Sequence, residues 1–121
     1  MRKTILVVDD ARVVRMLEAH TLANAGFDVV EAENGLDALE KVKGRAFDLI
    51  VTDINMPELD GIGLIKELRK LESCRFTPII VLSTVAQEEK VREGREAGAS
   101  GWLYKPFTGI QLMQAVRKFI T

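Results

Sequence analysis

The sequence has little of several features that mark particular protein classes. It contains one cysteine, Cys74, in 121 residues, so it can form no internal disulfide and lacks the cysteine spacing of a structural zinc site. Its 17 basic and 18 acidic residues nearly cancel, which argues against direct binding to nucleic acid or to an anionic membrane surface. No apolar run approaches the roughly 20 residues of a membrane-spanning helix. We therefore expect a single domain over residues 1–121 in a reducing, cytoplasmic compartment.

What the sequence does contain is a series of short apolar strands. Three of them are almost free of polar residues, as is typical of strands that helices cover on both faces of a parallel sheet. The other two are weaker but keep the same rhythm along the chain. The predicted strands are 5–8, 27–32, 49–51, 79–82 and 101–105.

Segments with helical spacing separate these strands. Val14, Leu17 and Leu22 predict the first helix, which ends before Gly26. The charged segment 88–97 predicts a loosely held fourth helix, because it offers few apolar side chains to a core. The remaining helices are predicted around Leu36, Leu39 and Val42; around Leu64, Ile65, Leu68 and Leu71 after Asp60 as N-cap; and around Leu112 and Val116, after a capping box of Thr108 and Gln111.

This alternation predicts an α/β fold of five βα units, (βα)5, with helices on both faces of a five-stranded parallel sheet. In such doubly wound sheets, ligands bind beyond the carboxyl ends of the strands, where the strand order reverses. Candidate functional residues are therefore the polar residues that directly follow the predicted strands.

Polar side chains do follow four of the five strands. Asp9 and Asp10 come after the first strand, Asp53 after the third, Ser83 and Thr84 after the fourth, and Lys105 after the fifth. Three carboxylates brought this close together disfavour full ionisation unless a cation lies among them. Oxygen ligands of this kind suit a hard cation, and Mg²⁺ fits best because it is commonly held by one or two carboxylates together with phosphate oxygens.

The same residues carry a family resemblance that extends over the whole chain. Asp9-Asp10, the segment 53–61 (Asp-Ile-Asn-Met-Pro-Glu-Leu-Asp-Gly), the segment 97–101, Ser83 and Lys105-Pro106-Phe107 resemble the receiver domain of two-component response regulators. Within that family the chain is most similar to single-domain, chemotaxis-type (CheY-like) regulators. The resemblance implies a flavodoxin-like fold with strand order 2-1-3-4-5.

The resemblance also implies roles for individual residues. Asp53 would accept a phosphoryl group from a sensor histidine kinase or a histidine phosphotransfer protein. Asp10, Asp53 and the backbone carbonyl of Asn55 would bind Mg²⁺ directly, and Asp9 largely through water. Lys105 would pair with the phosphoryl oxygens. The chain would then be a phospho-accepting switch rather than an enzyme, assisting only its own phosphotransfer and dephosphorylation.

Each of the two expected switch residues has a competing interpretation. Family spacing favours Ser83 over Thr84 as the hydroxyl that donates to the phosphoryl group. Trp102 stands where the family usually has Tyr or Phe, a ring that turns inward on activation, so we expect Trp102 to be the switch aromatic; plain surface packing is the alternative. The face made by the fourth helix, fifth strand and fifth helix, near Tyr104, is the expected surface for a downstream protein.

Other functions fit the sequence less well. A haloacid-dehalogenase-type phosphatase needs a second Asp two residues after the nucleophile, where this chain has Asn55. No Gly-x-Gly-x-x-Gly segment follows the first strand, which argues against a flavin or dinucleotide carrier. The last predicted helix completes at Thr121, so we expect a standalone regulator that signals through protein contact, most simply in chemotaxis. We also expect it to be a monomer. A phosphorelay intermediate and a non-phosphorylated pseudo-receiver binding module remain as alternatives.

Overall fold

The computed structural model describes residues 2–121 and contains one five-stranded parallel sheet. The strand order is β2-β1-β3-β4-β5, and each neighbouring pair is parallel. This confirms the predicted fold class and strand order. The strands are β1 Thr4–Val8, β2 Asp28–Ala32, β3 Leu49–Asp53, β4 Ile79–Thr84 and β5 Gly101–Lys105.

Helices cover both faces of the sheet. One apolar cluster joins the sheet to the second, third and fourth helices, and a second cluster joins it to the first and fifth. β1, β3 and β4 are buried on both faces along almost their whole length, and apolar residues therefore dominate them. The helices are α1 Arg12–Asn24, α2 Gly35–Gly44, α3 Gly61–Lys70, α4 Val91–Ala97 and α5 Gly109–Arg117, with short 3₁₀ helices at Glu72–Cys74 and Val85–Lys90.

The predicted helix ends are confirmed at three places. The Asp60 side chain accepts a hydrogen bond from the Gly63 backbone N–H at 2.7 Å and so caps α3. Thr108 and Gln111 form a reciprocal capping box at the start of α5. Gly26 has φ +100 shortly after the end of α1, a left-handed conformation that favours glycine. Within residues 2–121, no helix is long and apolar enough to cross a membrane.

The structure differs from the prediction in the orientation of α1. Leu22 is buried as expected, but Val14 and Leu17 are 40% and 63% exposed. The buried face instead carries Glu18, Ala19 and Leu22. A helix can bury only one face, and here the stripe through Leu22 determines which side chains meet the sheet. The apolar residues of α1 are therefore divided between the core and the surface.

The fourth helical segment also differs from the prediction. The expected helix 88–97 begins as the 3₁₀ helix Val85–Lys90 and becomes α-helical only at Val91–Ala97. Thr84 and Gln87 form a capping box that starts the 3₁₀ turn before the predicted helix. Gly94 is the buried residue of α4, so the small apolar contribution of this helix to the core is confirmed.

Candidate functional site

Three carboxylates meet at the carboxyl edge of the sheet. Asp9 and Asp10 follow β1 and Asp53 ends β3, and these two strands are neighbours in the parallel sheet. One carboxylate oxygen from each residue lies within 4.8 Å of the corresponding oxygens of the other two. Asp9 and Asp53 are buried, whereas Asp10 is exposed. The strand order therefore brings together the three carboxylates that the sequence places directly after the strands.

Asp9 shows why this cluster suits a cation. Its Oδ1 accepts a hydrogen bond from the Ala11 backbone N–H at 2.9 Å, but its buried Oδ2 has no hydrogen-bond partner among the described residues. Burial raises the pKa of Asp9; the Ala11 hydrogen bond opposes that rise, and the nearby charge of Asp53 adds to it. An orphaned buried oxygen beside two further carboxylates is a donor set that fits a hard divalent cation such as Mg²⁺.

Lys105 provides the positive charge at this edge. Its Nζ lies 2.9 Å from Oδ1 of Asp53, which is 7% exposed. Burial alone lowers the pKa of Lys105, but the hydrogen bond and charge of Asp53 outweigh it, so the pKa of the ammonium is raised. Asp53 thus has a cation in contact and two further carboxylates close by, which is an arrangement suited to handling a transferred phosphoryl group.

Ser83 and Thr84 occupy different environments. Ser83 is fully buried, and its Oγ accepts a hydrogen bond from Nε1 of Trp102 at 2.7 Å. Because the serine oxygen acts as acceptor in this bond, its own hydroxyl proton is available to another acceptor. Thr84 is exposed, and its hydroxyl is engaged with Gln87 at 3.2 Å. The hydroxyl on the inner side of β4 is therefore that of Ser83.

Trp102 lies against α4 and contributes to the apolar cluster on that side of the sheet. A Cβ built on Gly94 would lie 2.8 Å from Cη2 of the indole, which is closer than a Cβ atom approaches other atoms in real proteins. The ring can take this position because residue 94 is a glycine. Its hydrogen bond to Ser83 links α4 and the exposed surface to the strand end that faces the acidic cluster.

The loop after β3 places Asn55 two residues beyond Asp53, and Asn55 is exposed. Its predicted role, a metal ligand through the backbone carbonyl, stays a prediction. The loop turns sharply into α3, where the Gly61 N–H donates to the Ile54 carbonyl at 2.8 Å. A Cβ on Gly61 would lie 2.8 Å from Cα of Ile54, so glycine permits this close return of the chain beside Asp53.

Sequence reasoning missed Glu18, which is 4% exposed on α1. Both of its carboxylate oxygens are buried without a hydrogen-bond partner in the part of the chain that the structure describes. The pKa of Glu18 is raised to about 8, mainly by burial and further by the nearby charge of Asp9. The available signal was its spacing: Glu18 precedes the core residue Leu22 by one helical turn.

Comparison with known proteins agrees with this geometry. The family model described as response regulator receiver domain matches residues 5–117. The chemotaxis protein CheY of Bacillus subtilis is 40% identical over 119 residues, which cover 98% of each chain. The CheY of Thermotoga maritima is also 40% identical over 119 residues, again covering 98% of each.

Solved structures give the same result. Chemotaxis protein CheY4 of Vibrio cholerae superposes with a TM-score of 0.95 at 38% identity, covering 99% of this chain and all of that one. A receiver domain of a sensor histidine kinase from Pseudomonas aeruginosa, with a magnesium ion coordinated in its active-site cleft, has a TM-score of 0.90 at 28% identity and covers 99% and 98% of the two chains. On the family match and these relatives together, the chain belongs to the response regulator receiver domains.

Proposed function

We propose that this response regulator stores a signal as a phosphoryl group on Asp53, received from a phosphohistidine of a sensor kinase or phosphotransfer protein. The observation that carries the proposal is the contact of Lys105 Nζ with Asp53 Oδ1 at 2.9 Å, beside the three clustered carboxylates. One oxygen of Asp53 is thereby held in a site that can neutralise the incoming negative charge.

In the transfer step, a carboxylate oxygen of Asp53 attacks phosphorus and forms an acyl phosphate. The bond between phosphorus and the imidazole nitrogen breaks, its electron pair stays on the imidazole, and that nitrogen can then take up a proton. As the acyl phosphate forms, the Lys105 ammonium pairs with the phosphoryl oxygens instead of the carboxylate. Catalysis therefore consists mainly of positioning and charge stabilisation. The chain therefore modifies itself, and one phosphodonor is consumed for each Asp53 that becomes phosphorylated.

Asp10, Asp53 and the carbonyl of Asn55 would hold Mg²⁺, with Asp9 contributing through water. The unpartnered Oδ2 of Asp9 and the magnesium ion in the Pseudomonas receiver domain support this assignment. When bound, the ion supplies neutralising charge for the phosphoryl oxygens. The protein's own residues supply the nucleophile, the ammonium and a hydroxyl donor.

The switch itself would operate through Ser83 and Trp102. The acyl phosphate adds nearly two negative charges and new acceptor oxygens at Asp53. Ser83 can donate its free hydroxyl proton to one of these oxygens while it still accepts from the indole N–H of Trp102. Movement of the serine toward the phosphoryl group would then be transmitted to the indole and to α4.

The output surface would be the face of α4, β5 and α5. Tyr104 is 37% exposed there and borders a groove lined mainly by charged residues of α4 and the preceding 3₁₀ helix, including Glu89, Arg92 and Arg95. A groove lined by three glutamates and two arginines lacks the basic excess that a nucleic acid requires, and an exposed aromatic residue beside it suits a protein contact. The similarity to CheY proteins of three organisms supports a partner in chemotaxis.

Incubation with acetyl phosphate and Mg²⁺, followed by intact-mass measurement, tests the acceptor role. We expect the wild type to gain the mass of one phosphoryl group, and Asp53→Asn to gain none. Omission of Mg²⁺ should suppress the gain in the wild type. A wild-type protein that gains no phosphoryl mass while it binds partners would instead be a pseudo-receiver binding module. Phosphorylation that persists in Asp53→Asn would place the acceptor elsewhere.

A further inference from the structure

Glu18 lies next to the proposed phosphorylation site but has no part in the mechanism given above. It borders a cavity of about 380 Å³ between α1 and α5, and Lys105 borders the same cavity. The remaining lining is mostly apolar, with Leu112 and Phe107 contributed from the α5 side. A buried carboxyl group with both oxygens unpartnered therefore lines the same cavity as Lys105, whose ammonium contacts Asp53.

Among the described residues that line this cavity, Lys105 is the one cation. Thr21 is the other polar side chain close to Glu18 on α1, but its hydroxyl donates to the Leu17 carbonyl at 2.9 Å. Arg15, a cation on the same helix, is already paired with Glu31 at 2.9 Å and donates to the Asp9 carbonyl at 2.9 Å. Lys105 is thus the partner that the surroundings of Glu18 offer.

The charges that act on Glu18 come from three strands. Burial is the largest of the effects that together raise the pKa of Glu18 to about 8. The charges of Asp9, beyond β1, and of Asp53, on β3, also raise this pKa, whereas the charge of Lys105, on β5, lowers it. The lining from α5 consists of uncharged residues. Near neutral pH, Glu18 is therefore largely protonated, and it becomes a carboxylate as the pH rises past about 8.

Building on the phosphorylation mechanism above, we propose that Glu18 is a positioning residue that offers the Lys105 ammonium a second carboxylate and so limits how firmly Lys105 is held at Asp53. With Glu18 neutral, Asp53 is the stronger acceptor and Lys105 stays at the phosphorylation site. With Glu18 ionised, the ammonium is shared between the two acids. Transfer of a phosphoryl group to Asp53 then slows, because Lys105 neutralises the incoming charge for less of the time.

The sign of the pH effect follows directly. The rate of Asp53 phosphorylation in the wild type should fall as the pH rises through about 8, the range in which Glu18 loses its proton. Glu18→Gln is neutral at every pH and keeps the shape of the side chain, so its rate should lack this decrease. The ratio of the wild-type rate to the Glu18→Gln rate should be close to one below neutral pH and should fall roughly twofold at high pH, as expected for equal sharing between two carboxylates.

The rate is measured with acetyl phosphate and Mg²⁺ over a pH series, by intact mass. Glu40→Gln is the matched control: it removes the same charge from a side chain that is 71% exposed on α2, and its profile should follow the wild type. Glu18→Leu is a second neutral variant that should match Glu18→Gln. Parallel pH profiles for the wild type and Glu18→Gln would overturn the proposal.

A second measurement needs no phosphorylation and separates this proposal from the function on which it builds. The side-chain NMR signal of Lys105 is identified by its loss in Lys105→Arg and followed over the same pH series. It should shift through about pH 8 in the wild type and stay constant there in Glu18→Gln. A Lys105 signal insensitive to Glu18 overturns the positioning role, whereas failure of Asp53 to take up a phosphoryl group overturns the proposed function alone.

Discussion

Replacement of Gly94 by alanine should displace the indole of Trp102 without unfolding the protein. The new Cβ would lie 2.8 Å from Cη2 of the ring, a distance that real side chains do not tolerate. The ring is expected to yield, because Trp102 is only partly buried and rotation of one side chain disturbs fewer contacts than a shift of the α4 backbone around Gly94. Its movement outward breaks the 2.7 Å hydrogen bond to Ser83.

The two energetic effects of this substitution oppose each other. Loss of the hydrogen bond costs about 0.5–1.5 kcal/mol, and uncovering about 40–80 Å² of the ring costs about 1–2 kcal/mol more. Alanine in place of glycine within a helix contributes about 1 kcal/mol of stabilisation. The expected net destabilisation is about 0.5–2.5 kcal/mol, less than the roughly 5–15 kcal/mol typical of a folded domain, so most molecules stay folded at room temperature.

Fluorescence detects the displacement directly, because Trp102 is the single tryptophan of the chain. Gly94→Ala should shift the emission to longer wavelength and increase quenching by acrylamide. Gly44→Ala is the control, since a Cβ at that position in α2 meets no atom within 4 Å. Unchanged emission from folded Gly94→Ala would refute the account of how Gly94 positions the ring.

Three further predictions concern single side chains. Glu18→Leu should raise the free energy of unfolding in urea by about 1–3 kcal/mol, since it removes a buried carboxyl group without a hydrogen-bond partner; equal or lower stability would show that the polar group is satisfied in solution. Ser83→Ala should impair phosphorylation-dependent partner binding in a pull-down more than Thr84→Ala does, because Thr84 caps the 3₁₀ helix while Ser83 is buried; the reverse ranking would transfer the role to Thr84. Val85→Glu should shorten the lifetime of the acyl phosphate, since Val85 is 61% exposed two residues beyond Ser83 and offers no group to orient water; equal lifetimes by intact mass would contradict this.

The sequence was sufficient to predict the fold and the composition of the acidic edge. Short apolar runs separated by helical spacing identify a parallel sheet, and the carboxyl ends of its strands must meet at one edge. This is why Asp9, Asp10 and Asp53 could be placed together before any geometry was known. Helix caps such as Asp60 could also be predicted from the sequence, because a cap depends only on residues within one helical turn.

The orientation of α1 could not be predicted in the same way. Its apolar residues are spread around the helix, so two faces compete for the core and tertiary packing decides between them. A glutamate is also an unexpected core residue, because burial of a carboxyl group without a partner is costly. Glu18 was therefore missed, although it lies one turn from Leu22.

The position of β5 at the rim of the sheet has a consequence for how this protein can diversify. Asp53 ends β3, which has a neighbour on either side, whereas Trp102 is on β5, an edge strand that pairs only with β4. The phosphoryl acceptor thus lies in the interior of the sheet, and the aromatic residue proposed to respond to it lies on an edge strand. Mutations along the rim can retune partner choice over evolutionary time while the acceptor stays intact.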